Sequence, residues 1–239
     1  MKTNDGSKLK LQPKLNKWVI SMEEDQERYE RFIRQAPIHG MGVKKWTSFR
    51  MTPGQKGLGL AYKTMFKQAL ERGETYLLTF EDDCQFTHPY ALDWFWKAYQ
   101  ELPKDWDVYL GGAFGTDLQD TESPYIKKCL EFSGTHMTLW SYNAMNTIVK
   151  FYDPEVKSNR SHIDRFIGNP FRPFSESLEE WQLKVYVCDP IVAVQEVGVQ
   201  SRIGGGIVPD RFRNSNKLET NKQYKDLTKG MARWKIISI

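Results

Sequence analysis

Tyr76-Leu77-Leu78-Thr79-Phe80-Glu81-Asp82-Asp83 is the stretch on which the reading of this chain turns. Its first five residues are short and apolar enough for a strand buried on both faces, as parallel strands of α/β proteins are. Three carboxylates follow at once, at the end where open α/β sheets bind ligands. Carboxylates crowded at the mouth of a buried strand lose hydration and repel one another unless something neutralises them. Mg2+ and Mn2+ are hard cations that accept one or two carboxylates and complete their shells with phosphates and water. In an extended segment Glu81 and Asp83 project to the same side as candidate metal ligands. Asp82 then points elsewhere, to a ribose hydroxyl or a backbone amide. The bland alternative is an acidic turn capping the next helix, a position that Asp favours.

Upstream, residues 18–22 read as a first strand. Residues 23–35 read as a helix with Tyr29, Phe32 and Ile33 at helical spacing, and residues 45–49 as a second strand. Residues 52–57 form a Pro- and Gly-containing loop, and 58–72 a helix whose apolar face runs from Leu58 through Tyr62 to Leu70. Downstream come a helix over 89–101, a strand over 107–110, a polar loop over 115–124 and strands over 127–132 and 135–140. A helix over 142–151 and strands over 183–187 and 191–194 follow. From Ser201 onward the chain is rich in Gly, Arg and Lys and shows little periodicity. Alternating strands and helices predict a mainly parallel sheet with helices on both faces. Residues 1–16 read as a flexible arm, 17–206 as one domain and 207–239 as a basic C-terminal segment.

The 239 residues are 40% apolar and 27% charged, ordinary for a globular protein. Thirteen per cent are aromatic, which suits sugar and base pockets as well as a core. A net charge of +4 fits an anionic ligand but falls short of a nucleic-acid-binding tail. Three widely spaced cysteines show no CxxC pattern, which argues against zinc and for a reducing compartment. There is no apolar leader and no run near the about 18–20 residues of a membrane span. The expectation is a cytoplasmic protein, free or peripheral to a membrane.

Three further groupings carry chemistry. Gly134-Thr135-His136 opens a strand with a close backbone approach, a hydroxyl and an imidazole; a satisfied structural histidine is the alternative for His136. His162-Ile163-Asp164 offers one carboxylate as a general base, or else a helix cap. Gln195 to Gly206 ends in Ser201-Arg202-Ile203-Gly204-Gly205-Gly206, whose amides could cradle a phosphate, though the spacing is not that of a P-loop.

In their order these segments resemble glycosyltransferase family 25, the lipopolysaccharide and lipooligosaccharide glycosyltransferases, to which collagen galactosyltransferase domains are related. Trp18-Val19-Ile20-Ser21-Met22 with Arg28 is similar to that family's "VINLxxxxxR" opening, and Gly57 to Tyr62 to its "GCxLSH" segment. Phe80 to Asp83 is similar to "LEDD", Trp106 to Gly111 to "WDxxxLG", and Gly134-Thr135-His136 with Ser141 to "GTHAYLIS". Ile163-Asp164 is similar to its later "xxD". Val185-Tyr186, Pro190, Gln195 and Ser201 are similar to its terminal stretch. The chain departs from the pattern at Ala61-Tyr62, where Ser-His is usual, at Ser21-Met22 and at Trp140.

The resemblance implies a GT-A-like, Rossmann-related mixed sheet in a single domain. It also implies a nucleotide-sugar donor, with UDP favoured, and a hexosyl or pentosyl group transferred with inversion to a glycan or glycolipid headgroup. On this reading Mn2+ or Mg2+ sits at Glu81 and Asp83, and Asp82, Thr135, His136, Gln195 and Arg202 bind the donor. Asp164 is the catalytic base. Two other expectations stand beside it: transfer to a modified base in DNA, served by the basic residues from Arg211 to Lys235, and a degenerate nucleotide- or glycan-binding module.

Overall fold

Alternate side chains of the strand Tyr76–Glu81 enter two different cores, and this sets the layering of the molecule. The computed structural model describes residues 15–157, 161–168, 183–199, 201, 206–209, 211 and 215–229. Along these the chain forms β1 (Asn16–Met22), α1 (Gln26–Ile33), β2 (Lys44–Ser48), α2 (Gly54–Glu71), β3 (Tyr76–Glu81) and β4 (Cys84–Phe86). Then come α3 (Ala91–Tyr99), β5 (Val108–Leu110), β6 (Phe114–Asp120), β7 (Ile126–Ser133), β8 (Met137–Ser141) and α4 (Tyr142–Phe151). The last described elements are α5 (Ile163–Gly168), β9 (Val185–Cys188), β10 (Ala193–Gln195) and α6 (Asn221–Thr228).

Eight strands form one sheet in the order β2-β1-β3-β8-β5-β9-β7-β6. Leu77, Trp140, Val108 and Val185 turn to one face, where α2, α4 and α5 cover them with Tyr62, Phe66, Met145, Ile148 and Ile167. Leu78, Leu139, Tyr109 and Tyr186 turn to the other, beneath Phe32 of α1 and the Trp94-Phe95-Trp96 run of α3. The period of two along each strand is what lets one sheet serve both cores.

The sheet is mixed, as the resemblance implies, and not the mainly parallel one that the alternation of strands and helices predicts. β1 is parallel to β2 and β3, and β5 to β9, but β8 runs antiparallel to both β3 and β5, and β7 to β9 and β6. β7 and β8, joined by the short Gly134-Thr135-His136 link, are not neighbours in the sheet: β5 and β9 lie between them. The expected polar loop over 115–124 is largely β6, an edge strand paired with β7 whose solvent-facing side chains look like loop in sequence. The expected loop over 52–57 ends early, because α2 begins at Gly54. Past Ser201 the weak periodicity concealed α6, which is amphipathic but buries no residue fully. Cys84, Cys129 and Cys188 are free, buried thiols. No helix among the described residues is long and apolar enough to cross a membrane.

The α1 connection from β1 to β2 covers one face, and α2, leading from β2 back to β3, covers the other. The carboxyl ends of β1 and β3 therefore border a crevice where the chain parts to opposite sides, the place where open α/β sheets take ligands.

Candidate functional site

The acidic triplet emerges at that crevice. Glu81 N–H still donates to His136 O (3.0 Å) and Asp82 N–H to Ile20 O (3.2 Å), so the backbone stays in the sheet between β8 and β1 to this point. The chain then turns at Asp82-Asp83 instead of continuing extended. The same-side arrangement expected of Glu81 and Asp83 does not form by strand alternation, because the strand ends at Glu81. Asp82 and Asp83 instead share one partner: the Arg28 guanidinium lies 2.8 Å from Asp82 Oδ1 and 3.0 Å from Asp83 Oδ2, all three side chains being nearly buried. Gln195 Nε2 donates to the same Asp83 oxygen at 3.0 Å, and Glu196 N–H donates to Asp83 O at 2.7 Å. The β4–β10 pair thus ties Gln195 and Glu196 to the triplet.

Glu81 is held differently. Its Oε1 accepts from Thr135 Oγ1 at 2.6 Å, and the Tyr62 hydroxyl lies 3.2 Å from both Glu81 Oε1 and Thr135 O. Tyr62 is fully buried against Phe66 and Trp140, so the residue standing where the family pattern has His reaches Glu81 from the core. Burial, then the Asp83 charge, push the Glu81 carboxyl up to about 8 against these donors. Burial likewise outweighs the opposing Arg28 charge and lifts Asp82 to about 6. One guanidinium among three carboxylates leaves this corner short of positive charge.

Two cavities meet here. The smaller, about 90 Å3, is lined by the ends of β1, β2 and β3 (Ser21, Met22, Ser48, Glu81) with Asp25, Arg28, Asp82 and Asp83. At its mouth the Phe49 ring is 75% exposed and makes no ring contact among the described residues. Its backbone is close-packed: a Cβ on Gly57 would lie 2.6 Å from Phe49 O, so only glycine lets α2 approach. The larger cavity, about 660 Å3, is lined by Phe114, Thr135, His136, His162, Asp164, Arg165 and Arg211. Glu81, Leu58, Gln195 and Ser201 border both.

Asp164 stands in the first turn of α5. Its Oδ2 accepts from Gly134 N–H (2.9 Å) and its Oδ1 from Arg165 N–H (2.8 Å). Gly134 has φ +90°, a left-handed conformation that glycine tolerates and that turns its N–H towards Asp164. His136 is 2% exposed, its Nε2 lies 3.1 Å from Ala193 O, and burial lowers its basicity, so the ring is neutral and largely committed to the scaffold. Thr135 is as deeply buried and its hydroxyl is given to Glu81. Of the residues expected at the site, Glu81, Asp82, Asp83, Thr135, His136, Asp164 and Gln195 therefore gather around the two cavities. Arg202 lies outside the described residues.

Arg28, Tyr62 and Phe49 were absent from the expected site. A buried arginine on α1 needs a carboxylate, and the triplet was the conspicuous surplus; that was the available signal for Arg28. Tyr62 was visible only as a departure from the family pattern. Among the described residues no group of three or more His, Cys, Asp or Glu side chains is arranged to hold a metal ion.

No protein-family model matches the chain, and no curated protein matches its sequence. Solved structures do resemble it. A197 from STIV is 11% identical with a TM-score of 0.48, covering 87% of this chain and all of that one. A glycosyltransferase involved in glycosylation of the major capsid of PBCV-1 is 10% identical with a TM-score of 0.49, covering 80% and 95%. A Drosophila beta-1,4-galactosyltransferase 7 mutant in complex with manganese, UDP-Gal and xylobiose is 10% identical with a TM-score of 0.35, covering 92% and 82%.

Proposed function

We propose that this chain is a GT-A-like, inverting glycosyltransferase that moves a sugar from a nucleotide-sugar donor, a UDP-sugar by preference, to a hydroxyl of a glycan or glycolipid headgroup. The observation that carries the reading is the acidic triplet at the carboxyl end of β3, whose three carboxylates line a narrow cavity and whose Glu81 also borders a wide one. A transferase needs this plan: the leaving nucleoside diphosphate on one side, the acceptor on the other, and the transferred carbon between them. The ordered motifs that resemble glycosyltransferase family 25 support it independently.

The residues fit a divalent cation. Asp83 Oδ1 is buried without a hydrogen-bond partner among the described residues, and Glu81 faces both cavities in surplus negative charge. Hard cations of this class bind through one or two carboxylates and substrate phosphates, so Glu81 and Asp83 suffice as protein ligands. When bound, such a cation supplies charge neutralisation to the departing diphosphate. Arg28 and Gln195 hold Asp83 in place, and Thr135 and Tyr62 hold Glu81. Phe49 offers an exposed apolar face to the nucleobase. Asp164 takes the proton of the attacking hydroxyl: each of its oxygens accepts one backbone N–H and keeps a lone pair for the acceptor. The transition state is oxocarbenium-like, as in glycoside hydrolysis, and a single base with no covalent intermediate gives inversion.

A thermal-shift panel of UDP-, GDP-, CMP- and dTDP-sugars with and without MnCl2 tests this. One nucleotide class should raise the melting temperature, and only with Mn2+, by linkage of binding to folding. Asp83→Asn should abolish the Mn2+-dependent part, and Asp164→Asn should remove turnover while sparing donor binding. A panel in which no nucleotide stabilises the fold overturns the proposal.

A further inference from the structure

Seven arginines lie among the described residues, and five of them hold carboxylates. Arg28 pairs with Asp82 and Asp83, Arg31 with Glu27 and Glu196, Arg34 with Glu30, Arg50 with Glu24, and Arg72 more distantly with Glu74. Arg165 and Arg211 have no carboxylate within 4.0 Å among the described residues, and both line the wide cavity. The cavity's own acids do not serve them: Glu81 is bound by Thr135 and Tyr62, and Asp164 by two backbone amides. The Arg211 guanidinium sits 5.5 Å from the centroid of the Phe114 ring. A guanidinium resting on an aromatic face is held flat while its N–H edges stay available, a posture suited to a planar or tetrahedral oxyanion. Neither arginine borders the narrow cavity, so neither stands beside the triplet on the nucleoside side.

We infer that the wide cavity selects an anionic acceptor, a phosphorylated or carboxylated saccharide whose oxyanion is held by Arg165 and Arg211. The word acceptor rests on the transferase reading above; the anion site itself does not. Two charged donors facing one oxyanion give charge-assisted hydrogen bonds, the strong kind, and a neutral sugar leaves both guanidiniums without that gain. Discrimination then lies in the acceptor and leaves the donor untouched.

The test is direct binding by calorimetry at low salt, where such contacts are least screened. The full chain is titrated with glucose, glucose 6-phosphate, glucuronic acid and UDP with Mn2+. The wild type should bind at least one of the two acidic sugars about tenfold or more tighter than glucose, the size expected of one charge-assisted hydrogen bond. Which of the two prevails identifies phosphate or carboxylate as the recognised group. The Arg165→Gln, Arg211→Gln double variant should lose the preference and keep its UDP affinity, and the matching Lys variants should retain part of it. Arg211 is exposed, so Arg211→Gln alone must also lower the preference should the double variant fail to fold. The inference is overturned by equal affinity for all three sugars, by a preference that survives the folded variants, or by variants that lose UDP binding, which would assign the guanidiniums to the donor phosphates. Absence of UDP binding by the wild type instead overturns the transferase reading and leaves the anion site standing.

Discussion

Glu81 receives two hydroxyl donors yet sits among Asp83 and Asp164, and burial with the neighbouring charges wins: its carboxyl rises from 4.5 to about 8. The sign of the consequence is fixed. Between those values the folded chain binds a proton that the unfolded chain has released, so stability falls as pH rises from about 4.5 to about 8. Urea unfolding of metal-free protein at pH 5 and pH 8 should show that loss, and Glu81→Gln should flatten it; an equal loss in the variant would show that other groups carry it. Tyr62 can be tested with the same titration. Tyr62→Phe keeps the packing against Phe66 and Trp140 and removes one buried donor, which should cost about 1–2 kcal/mol. If its urea midpoint matches the wild type, the Tyr62 hydroxyl does not hold Glu81. At this scale the sequence revealed which residues were in surplus but not their partners. Gln195 and Asp83 are 112 positions apart, and nothing local announces that one amide will meet the other's carboxylate.

Among the elements, the junction of β7 and β8 lines the wide cavity with Ser133, Gly134, Thr135 and His136. Gly134 turns the chain there at φ +90°, and a Cβ would also stand 3.2 Å from His136 Nδ1. Gly134→Ala should therefore destabilise by about 1–3 kcal/mol through backbone strain. Because the strained N–H is the one that Asp164 accepts, turnover should fall further than donor binding. Intact turnover in a destabilised Gly134→Ala would separate the turn from the base. The Gly134-Thr135-His136 segment could be singled out in the sequence because Gly, Thr and His before an apolar run have few common uses. The direction of β8 could not, since a strand reads alike in both directions and only its return path decides. β3 and α2 were legible for the opposite reason: burial on both faces and a face repeating every 3.6 residues are local patterns. β6 was not, because an edge strand with one wet face carries the composition of a loop.

Taken whole, the molecule closes on itself through its C-terminal segment. Leu218 is 0% exposed within the core beneath α3, and the backbone bonds Ile191 N–H to Asn216 O (2.8 Å) and Leu218 N–H to Ile191 O (3.0 Å) splice that segment beside the approach to β10. Tyr224 of α6 then reaches Asp93 and Lys97 of α3 and stacks on Tyr90. The basic charge of 207–239 is visible in composition as Lys and Arg. The anchoring by Leu218 is not, because one leucine among polar residues has no periodicity to announce it. The mechanical consequence runs towards the site: Ile191 leads into β10, and β10 carries the Gln195 that grips Asp83. Leu218→Ala should thus cost about 2–4 kcal/mol by cavity formation. A chain ended after residue 206 should melt lower still, having lost the leucine, the splice and α6 together. Both changes should weaken Mn2+-dependent nucleotide binding more than an exposed substitution on α6, such as Lys222→Ala, because they slacken β10. Urea unfolding and nucleotide titration of the three variants decide it: if Leu218→Ala is destabilised but binds nucleotide as tightly as Lys222→Ala, the C-terminal segment braces the core without bracing the triplet.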